Sequence, residues 1–244
     1  MGKFNIEDFG KSLHTGFIDK TISSELNYQP ELLVNRKIPR KKVLTTIINE
    51  LENCESFYIS VAFVTTGGVA TLMNTFDLLE KKGIRGKILV SQYLNFTQPE
   101  ALRKLSQFKN IDLKIITKEN SHSKGYIFKR SDYYNLIIGS SNLTSSALST
   151  NKEWNMKVSA RNSSSILDKV MNEFQRDFEI GLLVNEAYIC KYEEVYYKQF
   201  LVYKKSKEEL SKELNQEIVP NSMQTEALQN LENLRKENSK ALII

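Results

Sequence analysis

The stretch HSKGYIFKRSDYYNLIIGSSN, residues 122–142, contains two short apolar segments bounded by polar side chains. The segments KGYIFKR (124–130) and YYNLIIGSS (133–141) are rich in β-branched and aromatic residues, which favours strands. The polar pair Ser131-Asp132 between them is typical of a turn. The stretch therefore predicts an antiparallel hairpin whose open end carries histidine, lysine, serine and asparagine side chains.

Upstream of this hairpin the pattern alternates between strands and helices. The predicted strands are SFYISVAFV (56–64), RGKILVSQY (85–93) and IDLKIIT (111–117). A helix over 69–83, capped by Gly83, and a helix over about 99–108 separate them. This β-α-β-α-β order favours parallel strands with helices packed on the sheet.

The segments that flank this region complete the predicted fold. An amphipathic helix is expected over 41–53, a strand over WNMKVSA (154–160) and a second amphipathic helix over 166–180. The fold class is α/β, with a mixed, mostly parallel β-sheet flanked by helices and a helical C-terminal extension. We predict an N-terminal arm at 1–30, a main domain at 31–195, and a helical linker with the start of another domain at 196–244.

The composition is that of a globular protein, with 41% hydrophobic and 26% charged residues. No apolar run is long enough to cross a bilayer and no secretory segment opens the chain, so we expect a cytoplasmic protein without a membrane partner. Cys54 and Cys190 have neither metal-ligand spacing nor a disulfide pattern. The net charge of +5 is compatible with an anionic partner such as DNA.

The residues at the open end of the hairpin suit phosphodiester chemistry. Residues two apart on a strand point to the same face, so His122 and Lys124 are expected to project together. The histidine could attack phosphorus and form a phosphohistidine, while the lysine holds the phosphate as a fixed positive charge. Asn142 offers two N–H donors to the same oxygens, and Ser140 can donate or orient a neighbour. No metal or other cofactor is required, because the lysine supplies the charge stabilisation.

Simpler roles exist for each of these residues. His122 could be a histidine in a surface turn, and Lys124 a solvated charge. Ser140 and Asn142 are residue types that favour turns and helix caps, a role that is compatible with catalysis. His14 is interpreted as a surface or interface residue. The functional interpretation depends on the combination of His122 and Lys124 with Ser140 and Asn142, joined by a hairpin of suitable length.

The pattern His122-Ser123-Lys124, then Asp132, then Gly139-Ser140-Ser141-Asn142 resembles the signature of the phospholipase D superfamily. Six residues separate Asp132 from Gly139, as in that family, but the seven residues between Lys124 and Asp132 form a longer gap than the family has. The role of Asp132 is therefore open. The resemblance implies a metal-independent phosphodiesterase that cleaves DNA through a phosphohistidine intermediate. It also implies that Glu153, in the match NKEWN, orients the catalytic histidine.

The resemblance extends over roughly residues 30–195, which look like the phospholipase D-like domains found ahead of bacterial helicases. Residues 218–244 resemble the beginning of a superfamily 2 helicase domain of the DEAD/DEAH type. Gln224 would match the glutamine that contacts adenine, and KALII (240–244) would lead into a phosphate loop. We therefore expect a fragment of a longer protein, the cutting module of a helicase-linked restriction or defence system, with the helicase domain of the same chain as a partner.

Phospholipase D-type chemistry uses two histidines, whereas this motif occurs once in the chain. The resemblance therefore implies a homodimer in which two copies of His122 share one active site across a two-fold axis. One alternative is a catalytically weak DNA-binding or dimerisation module of a helicase, which the longer gap before Asp132 favours. Another is a lipid phosphodiesterase.

Overall fold

The computed structural model describes residues 4–24, 26–117, 121–214 and 222–237. It contains two compact units, within residues 1–199 and 200–244. The described helices are α1 (Ile6–Phe17), α2 (Val43–Glu52), α3 (Thr66–Ala70), α4 (Met73–Lys81), α5 (Pro99–Ser106), α6 (Ser145–Ser149), α7 (Ser165–Ile180), α8 (Glu186–Leu214) and α9 (Ser222–Glu237). The described strands are β1 (Glu31–Leu33), β2 (Ser56–Val61), β3 (Arg85–Ser91), β4 (Ile111–Ile116), β5 (Lys124–Lys129), β6 (Tyr133–Gly139), β7 (Asn155–Arg161) and β8 (Leu182–Leu183).

The described strands form one mixed eight-stranded sheet in the order β1-β7-β6-β5-β2-β3-β4-β8. Strands β2, β3 and β4 pair in parallel, and β5 and β6 form the antiparallel hairpin, both as the sequence predicts. Of the seven pairings between described strands, two are parallel and five antiparallel. The predicted predominance of parallel pairing is thus limited to β2–β4, because β5, β6 and β7 alternate in direction and β1 and β8 pair antiparallel at the two ends of the sheet.

Helices cover both faces of this sheet. On one face, Phe57 and Ile59 of β2 pack in the main core with Phe76 of α4 and Leu102 of α5. On the other face, Phe174 of α7 packs with Leu89 and Ile116, and Leu167 of α7 packs with Ile127 and Leu136. Each fully buried side chain of this size contributes about 1.5–3 kcal/mol. The alternation of buried residues along the strands therefore fixes which side chains face which helices.

The region predicted as a single helix over 69–83 is two helices, α3 and α4. The side chain of Thr65 accepts from the Gly68 amide at 3.1 Å, so the first helix begins earlier than predicted. The hydroxyl of Thr71 donates to the Gly68 carbonyl at 2.6 Å, and α3 ends beside it. Gly83 follows α4 with a φ of 68°, as predicted for a helix cap. The strands predicted at 56–64 and 85–93 end earlier than predicted, at Val61 and Ser91.

The described part of the N-terminal segment packs on the closed end of the β5–β6 hairpin. The rings of Phe4, Phe9 and Tyr28 lie 5.8, 6.3 and 5.2 Å from the ring of Tyr133. Tyr133 is the first residue of β6, at the end of the hairpin away from His122. The segment therefore stabilises the end of the hairpin opposite the predicted site.

A buried ion cluster connects α2 to the strands of the hairpin and to β7. Glu50 is 1% exposed, and one oxygen of its carboxylate accepts from Arg130 at 2.6 Å and Asn135 at 2.8 Å. The other oxygen lies 2.7 Å from the ammonium of Lys157. Burial alone would raise the pKa of Glu50, but the charge of Lys157 and the three donated hydrogen bonds outweigh it and lower that pKa. The cluster is therefore ionised at neutral pH.

Substituting Glu50→Gln should destabilise the fold by about 3–5 kcal/mol at pH 7, because Arg130 and Lys157 would lose the charge that compensates them. Urea unfolding followed by circular dichroism measures the change. Glu52→Gln is the matched control, since Glu52 is an exposed carboxylate of the same helix, and it should change stability by less than about 0.5 kcal/mol.

The effect should depend on pH in one direction. A carboxyl whose folded pKa is depressed contributes stability above its unfolded pKa of about 4.3 and loses it as the pH falls through the folded pKa. The stability difference between wild type and Glu50→Gln should therefore narrow on acidification. Equal losses in Glu50→Gln and Glu52→Gln would show that the cluster does not stabilise the fold.

Candidate active site

Five predicted site residues lie at one edge of the sheet. Val61 at the end of β2 pairs with Lys124 at the start of β5, and Gly139 at the end of β6 pairs with Asn155 at the start of β7. The chain segments next to these pairs carry the side chains concerned, which are His122, Lys124, Ser140, Asn142 and Glu153. The hairpin therefore places residues from three segments at one edge.

His122 and Lys124 are in direct contact. The ammonium of Lys124 lies 2.8 Å from Nδ1 of His122 and donates to the His122 carbonyl oxygen at 2.6 Å. Lys124 is 8% exposed, whereas His122 is exposed. The contact does not arise from the strand geometry that predicted it, because β5 begins at Lys124 and His122 precedes it. The lysine side chain instead folds back over the residue two positions earlier.

This contact determines which nitrogen of the imidazole can act. Burial lowers the pKa of Lys124, and the negative charge of Glu153 opposes that shift. While the lysine is charged it must donate to Nδ1, so the neutral ring carries its proton on Nε2. Nε2 becomes a nucleophile only when the proton moves to Nδ1. Lys124 must therefore exchange Nδ1 for an oxygen of the substrate before His122 attacks.

Ser140 and Glu153 form a second pair beside the first. The hydroxyl of Ser140 donates to Oε2 of Glu153 and accepts from the Trp154 amide at 3.0 Å. The family resemblance implies that Glu153 orients the imidazole of His122, whereas its carboxylate accepts from Ser140. In this arrangement Glu153 influences the His122–Lys124 pair through its charge on Lys124. The two pairs are therefore coupled electrostatically.

The backbone beside Ser140 requires a glycine. A Cβ atom on Gly139 would lie 2.2 Å from the carbonyl oxygen of Trp154, well inside van der Waals contact. Strands β6 and β7 approach closely here, and the Ser140 amide donates to the same Trp154 carbonyl at 3.0 Å. Gly139 therefore allows the close approach of β6 to its partner strand β7.

Asn142 connects the segment after β6 to the segment after β2. It is 6% exposed, and its Oδ1 accepts from the amides of Ala62 at 3.0 Å and Phe63 at 3.2 Å. The side chain thus acts as a backbone cap, as the simpler interpretation predicts, through its oxygen alone. Its Nδ2 remains as the donor, and Asn142 lines an open cleft of about 550 Å³ together with Ser140 and Glu153. Structural and phosphate-binding roles are compatible in this residue.

Two residues that sequence reasoning did not select hold the serine between Ser140 and Asn142. The side chain of Asn155 accepts from the Ser141 amide at 3.1 Å and donates to its hydroxyl at 2.9 Å. The phenol of Tyr126 donates to the Ser141 carbonyl at 3.0 Å, and burial strongly raises the pKa of Tyr126, which keeps this donor protonated. The sequence signal was available, since both are polar groups at inward-facing positions of predicted strands.

Tyr93 is a further residue that the sequence did not indicate. Its ring lies 4.8 Å from the imidazole of His122, with an angle of 52° between the planes. Tyr93 is the last residue of the strand predicted over 85–93, but the strand ends at Ser91. A turn follows in which Leu94 and Asn95 adopt φ values of 48° and 53°. A leucine in this left-handed region gives no sequence signal for such a turn.

Asp132 lies outside the site. It is exposed in the hairpin turn and accepts from the Ser131 hydroxyl at 3.0 Å. The length of β5 separates this turn from Lys124, which is about 17 Å at the usual rise of a strand. Asp132 therefore lies in the turn at the closed end of the hairpin, at the opposite end of β5 from Lys124.

The remaining expectations concern metals, membranes and the C-terminus. Within the described ranges, no group of three or more His, Cys, Asp or Glu side chains is placed to hold a metal ion. None of the described helices is both long and apolar enough to span a bilayer. Gln224 lies in α9, whereas the strand predicted at 240–244 lies outside the described residues.

Comparison with known proteins supports the fold. A family profile described as "Cardiolipin synthase, PLD-like domain" matches residues 47–179. No curated protein matches the chain. Among solved structures, Nuc from Salmonella typhimurium, a phospholipase D family member, is 16% identical with a TM-score of 0.50, covering 65% of this chain and 100% of Nuc.

Two further structures share the same fold. NucT from Helicobacter pylori is 16% identical with a TM-score of 0.51, covering 64% of this chain and 99% of NucT. A phosphatidylserine synthase from Haemophilus influenzae is 15% identical with a TM-score of 0.50, covering 73% of this chain and 46% of the synthase. The predicted phospholipase D-like fold, with a mixed sheet flanked by helices, is confirmed.

Two substitutions at Asn142 should separate its two roles. Asn142→Ala leaves the amides of Ala62 and Phe63 without their acceptor and should cost about 1–3 kcal/mol of stability. Asn142→Asp keeps an acceptor for both amides but replaces the Nδ2 donor with a negative charge. It should therefore unfold close to the wild-type midpoint while binding inorganic phosphate at least about tenfold more weakly.

Thermal unfolding and isothermal titration with phosphate measure the two effects. Wild-type phosphate affinity in Asn142→Asp would contradict the assignment of Nδ2 as a phosphate donor.

Proposed function

The chain belongs to the phospholipase D-like family, and on that basis we propose that it is a metal-independent nuclease that cleaves DNA through a phosphohistidine intermediate. The observation that carries the proposal is the contact between His122 and Lys124 at the edge where Asn142 presents its amide. In this arrangement the imidazole of His122 and the buried ammonium of Lys124 would both contact the same phosphate. Metal-independent catalysis follows, because lysine and amide donors stabilise the charge that a metal ion would otherwise neutralise.

The proposed reaction has two steps. In the first, Nε2 of His122 forms a bond to phosphorus and the ester P–O bond breaks, while a second imidazole gives its proton to the leaving oxygen. In the second, that imidazole takes a proton from water, which attacks phosphorus and breaks the P–N bond. Lys124 and the Nδ2 group of Asn142 would hold the phosphoryl oxygens in both steps. Ser140 and Glu153 would position the site from the side of Asn142.

One alternative is a catalytically weak DNA-binding or dimerisation module of a helicase. The gap of seven residues between Lys124 and Asp132 favours it, because this gap is longer than the one in the family pattern. A lipid phosphodiesterase is a second alternative, favoured by the phosphatidylserine synthase among the similar folds. Measurements of DNA cutting, DNA binding and phosphatidylcholine hydrolysis distinguish all three.

Wild-type protein should cut DNA in the presence of EDTA, and His122→Ala should lower the rate by about 10³-fold or more, because it removes the nucleophile. Gel analysis of a labelled DNA substrate measures the rate. His14→Ala is the matched control, since His14 is the other of the two histidines of the chain and lies in α1; it should cut at the wild-type rate.

Each other outcome selects an alternative. DNA that is bound but not cut by wild type would favour the binding module. Hydrolysis of phosphatidylcholine without any cutting of DNA would favour the lipid enzyme.

A homodimer is the second part of the proposal, because one chain supplies one copy of the motif. An uncovered apolar row crosses the sheet beside the site, formed by Leu32, Met156 and Ile138 in register on β1, β7 and β6. These side chains are 49%, 48% and 45% exposed. Ile138 pairs with Gly125, the residue next to Lys124. We propose that a second copy covers this row and brings its own His122 to the shared site.

Substituting Ile138→Lys should convert the dimer to a monomer and abolish cutting, because two buried lysines would face each other across the two-fold axis. Light scattering and the EDTA assay measure both effects. Ile166→Lys is the matched control, since Ile166 lies in α7 with 51% exposure. A wild-type protein that is monomeric and still cuts DNA would overturn the shared site.

We also propose that the chain is linked to a helicase, through residues 218–244. The supporting feature is the Pro220-x-x-x-Gln224 spacing, with Gln224 in α9. In that arrangement the cutting module and the helicase domain belong to one longer chain of a restriction or defence system. We further propose a cytoplasmic location, which suits a DNA substrate.

A further inference from the structure

Three aromatic residues form a continuous series beside His122, and we call Phe63, Tyr93 and Phe96 the aromatic rim. The ring of Tyr93 contacts His122 at 4.8 Å, and Phe96 lies 6.4 Å from Tyr93. Phe63 follows at 5.7 Å from Phe96. Phe96 is 52% exposed, and the other two rings are partly exposed. The rim is therefore accessible and begins at the proposed nucleophile.

The turn that carries Tyr93 and Phe96 is held by buried and partly buried hydrogen bonds. Gln92 donates to Asn95 at 2.8 Å and accepts from the Tyr188 phenol at 3.1 Å. Thr97, which is fully buried, donates to the Ser91 carbonyl at 3.1 Å, and its own carbonyl accepts from Tyr192 at 2.8 Å. These bonds fix the backbone on both sides of the exposed rings.

The turn is also strained. Leu94 and Asn95 both have positive φ values, 48° and 53°, and a leucine rarely adopts this left-handed conformation. Such strain persists only where the surroundings determine it, and it concentrates at functional sites. The anchored and strained backbone holds the rings of Tyr93 and Phe96 next to His122.

The rim also reaches the other side of the site. Phe63 and Tyr93 follow the carboxyl ends of the parallel strands β2 and β3, where ligands bind in α/β sheets. Phe63 lines the open cleft together with Asn142. The rim therefore extends from His122 to the cleft that contains the phosphate donor. A nucleotide whose phosphate lies at the site has its neighbouring base within reach of these rings.

We propose that the aromatic rim is a base-stacking subsite that binds an unpaired nucleobase next to the scissile phosphate. The substrate class is then single-stranded or locally opened nucleic acid, because a base within a duplex has both faces covered by its neighbours. Aromatic rings beside a cation are the combination that binds single strands without sequence preference. The inference rests on the proposed function and names the substrate of the same site.

Equilibrium binding tests the inference without cleavage. The protein carries His122→Asn, which removes the nucleophile and keeps a planar group beside Tyr93. Fluorescence anisotropy compares three probes of about 12 nucleotides, a length within the range of single-strand binding sites. The probes are a thymidine oligomer, an abasic oligomer with the same backbone, and a duplex. The single strand should bind more tightly than the other two.

The substitutions identify the ring as the cause. Phe96→Ala should weaken binding of the thymidine oligomer about tenfold, the low end of the 1–3 kcal/mol that one stacked base contributes. It should leave binding of the abasic oligomer unchanged. Phe96→Tyr should keep the affinity, while Phe96→Leu should lose it although the side chain stays apolar. Phe17→Ala is the matched control, because Phe17 is 58% exposed and lies in α1.

Four outcomes would overturn the inference: equal losses for the thymidine and abasic probes, tighter binding of the duplex than of the single strand, no binding of the single strand, or a smaller mass of Phe96→Ala in light scattering. The last would assign the rim to self-association. Failure of the proposed function gives a different result, in which base-dependent binding is present and the wild type does not cut DNA. Cutting by the wild type without base-dependent binding would refute the rim alone.

Discussion

The two hydrogen bonds that Asn142 accepts from Ala62 and Phe63 hold the site together. They join the segment after β6 to the segment after β2, across the start of β5, where Lys124 begins the strand. A parallel bridge between Val64 and Leu143 continues the same contact. Without this connection the amide of Asn142 and the ring of Phe63 would have no fixed distance from the lysine. The functional residues thus depend on backbone amides that no motif describes.

Two groups of buried charges in the described residues differ in how their charge is compensated. Glu50 is buried with Arg130 and Lys157, and each of these charges has an opposite charge in contact. Lys124 is also buried, but its ammonium contacts the ring and carbonyl of His122, and Glu153 acts on it only through its field. Burial lowers the pKa of Lys124, so an arriving phosphate would stabilise its charged form. The first cluster stabilises the fold, whereas the second gains from a ligand.

The sequence predicts the strands, the hairpin and the grouping of the motif residues, which depend on periodicity and spacing. It does not predict the contacts between particular side chains. The parallel strands β2–β4 and the hairpin follow from apolar runs and turn residues, and the spacing of the motif placed five side chains at one edge. The resemblance assigns Glu153 to His122, but its carboxylate accepts from Ser140, which lies where β6 and β7 approach closely at Gly139. The position of Tyr93 beside His122 could not be predicted, because the sequence of the strained turn that contains Leu94 is typical of the end of a strand. Periodicity alone makes one continuous helix of the region where α3 ends beside Thr71, whose hydroxyl donates to the Gly68 carbonyl, and α4 begins at Met73.

The pleat of β5 separates the two surfaces that the proposals use. Lys124 and Tyr126 point to the face of the main core, whereas Gly125 and Ile127 point to the face that α7 covers. Ile138 pairs with Gly125, so the uncovered apolar row lies on the α7 face. The cleft lined by Phe63 and Asn142 includes residues of α6, whose Leu148 belongs to the main core. In the proposed arrangement, a second copy and a nucleic acid strand would therefore approach the same histidine from opposite faces of the sheet, and dimer formation would leave the substrate side open.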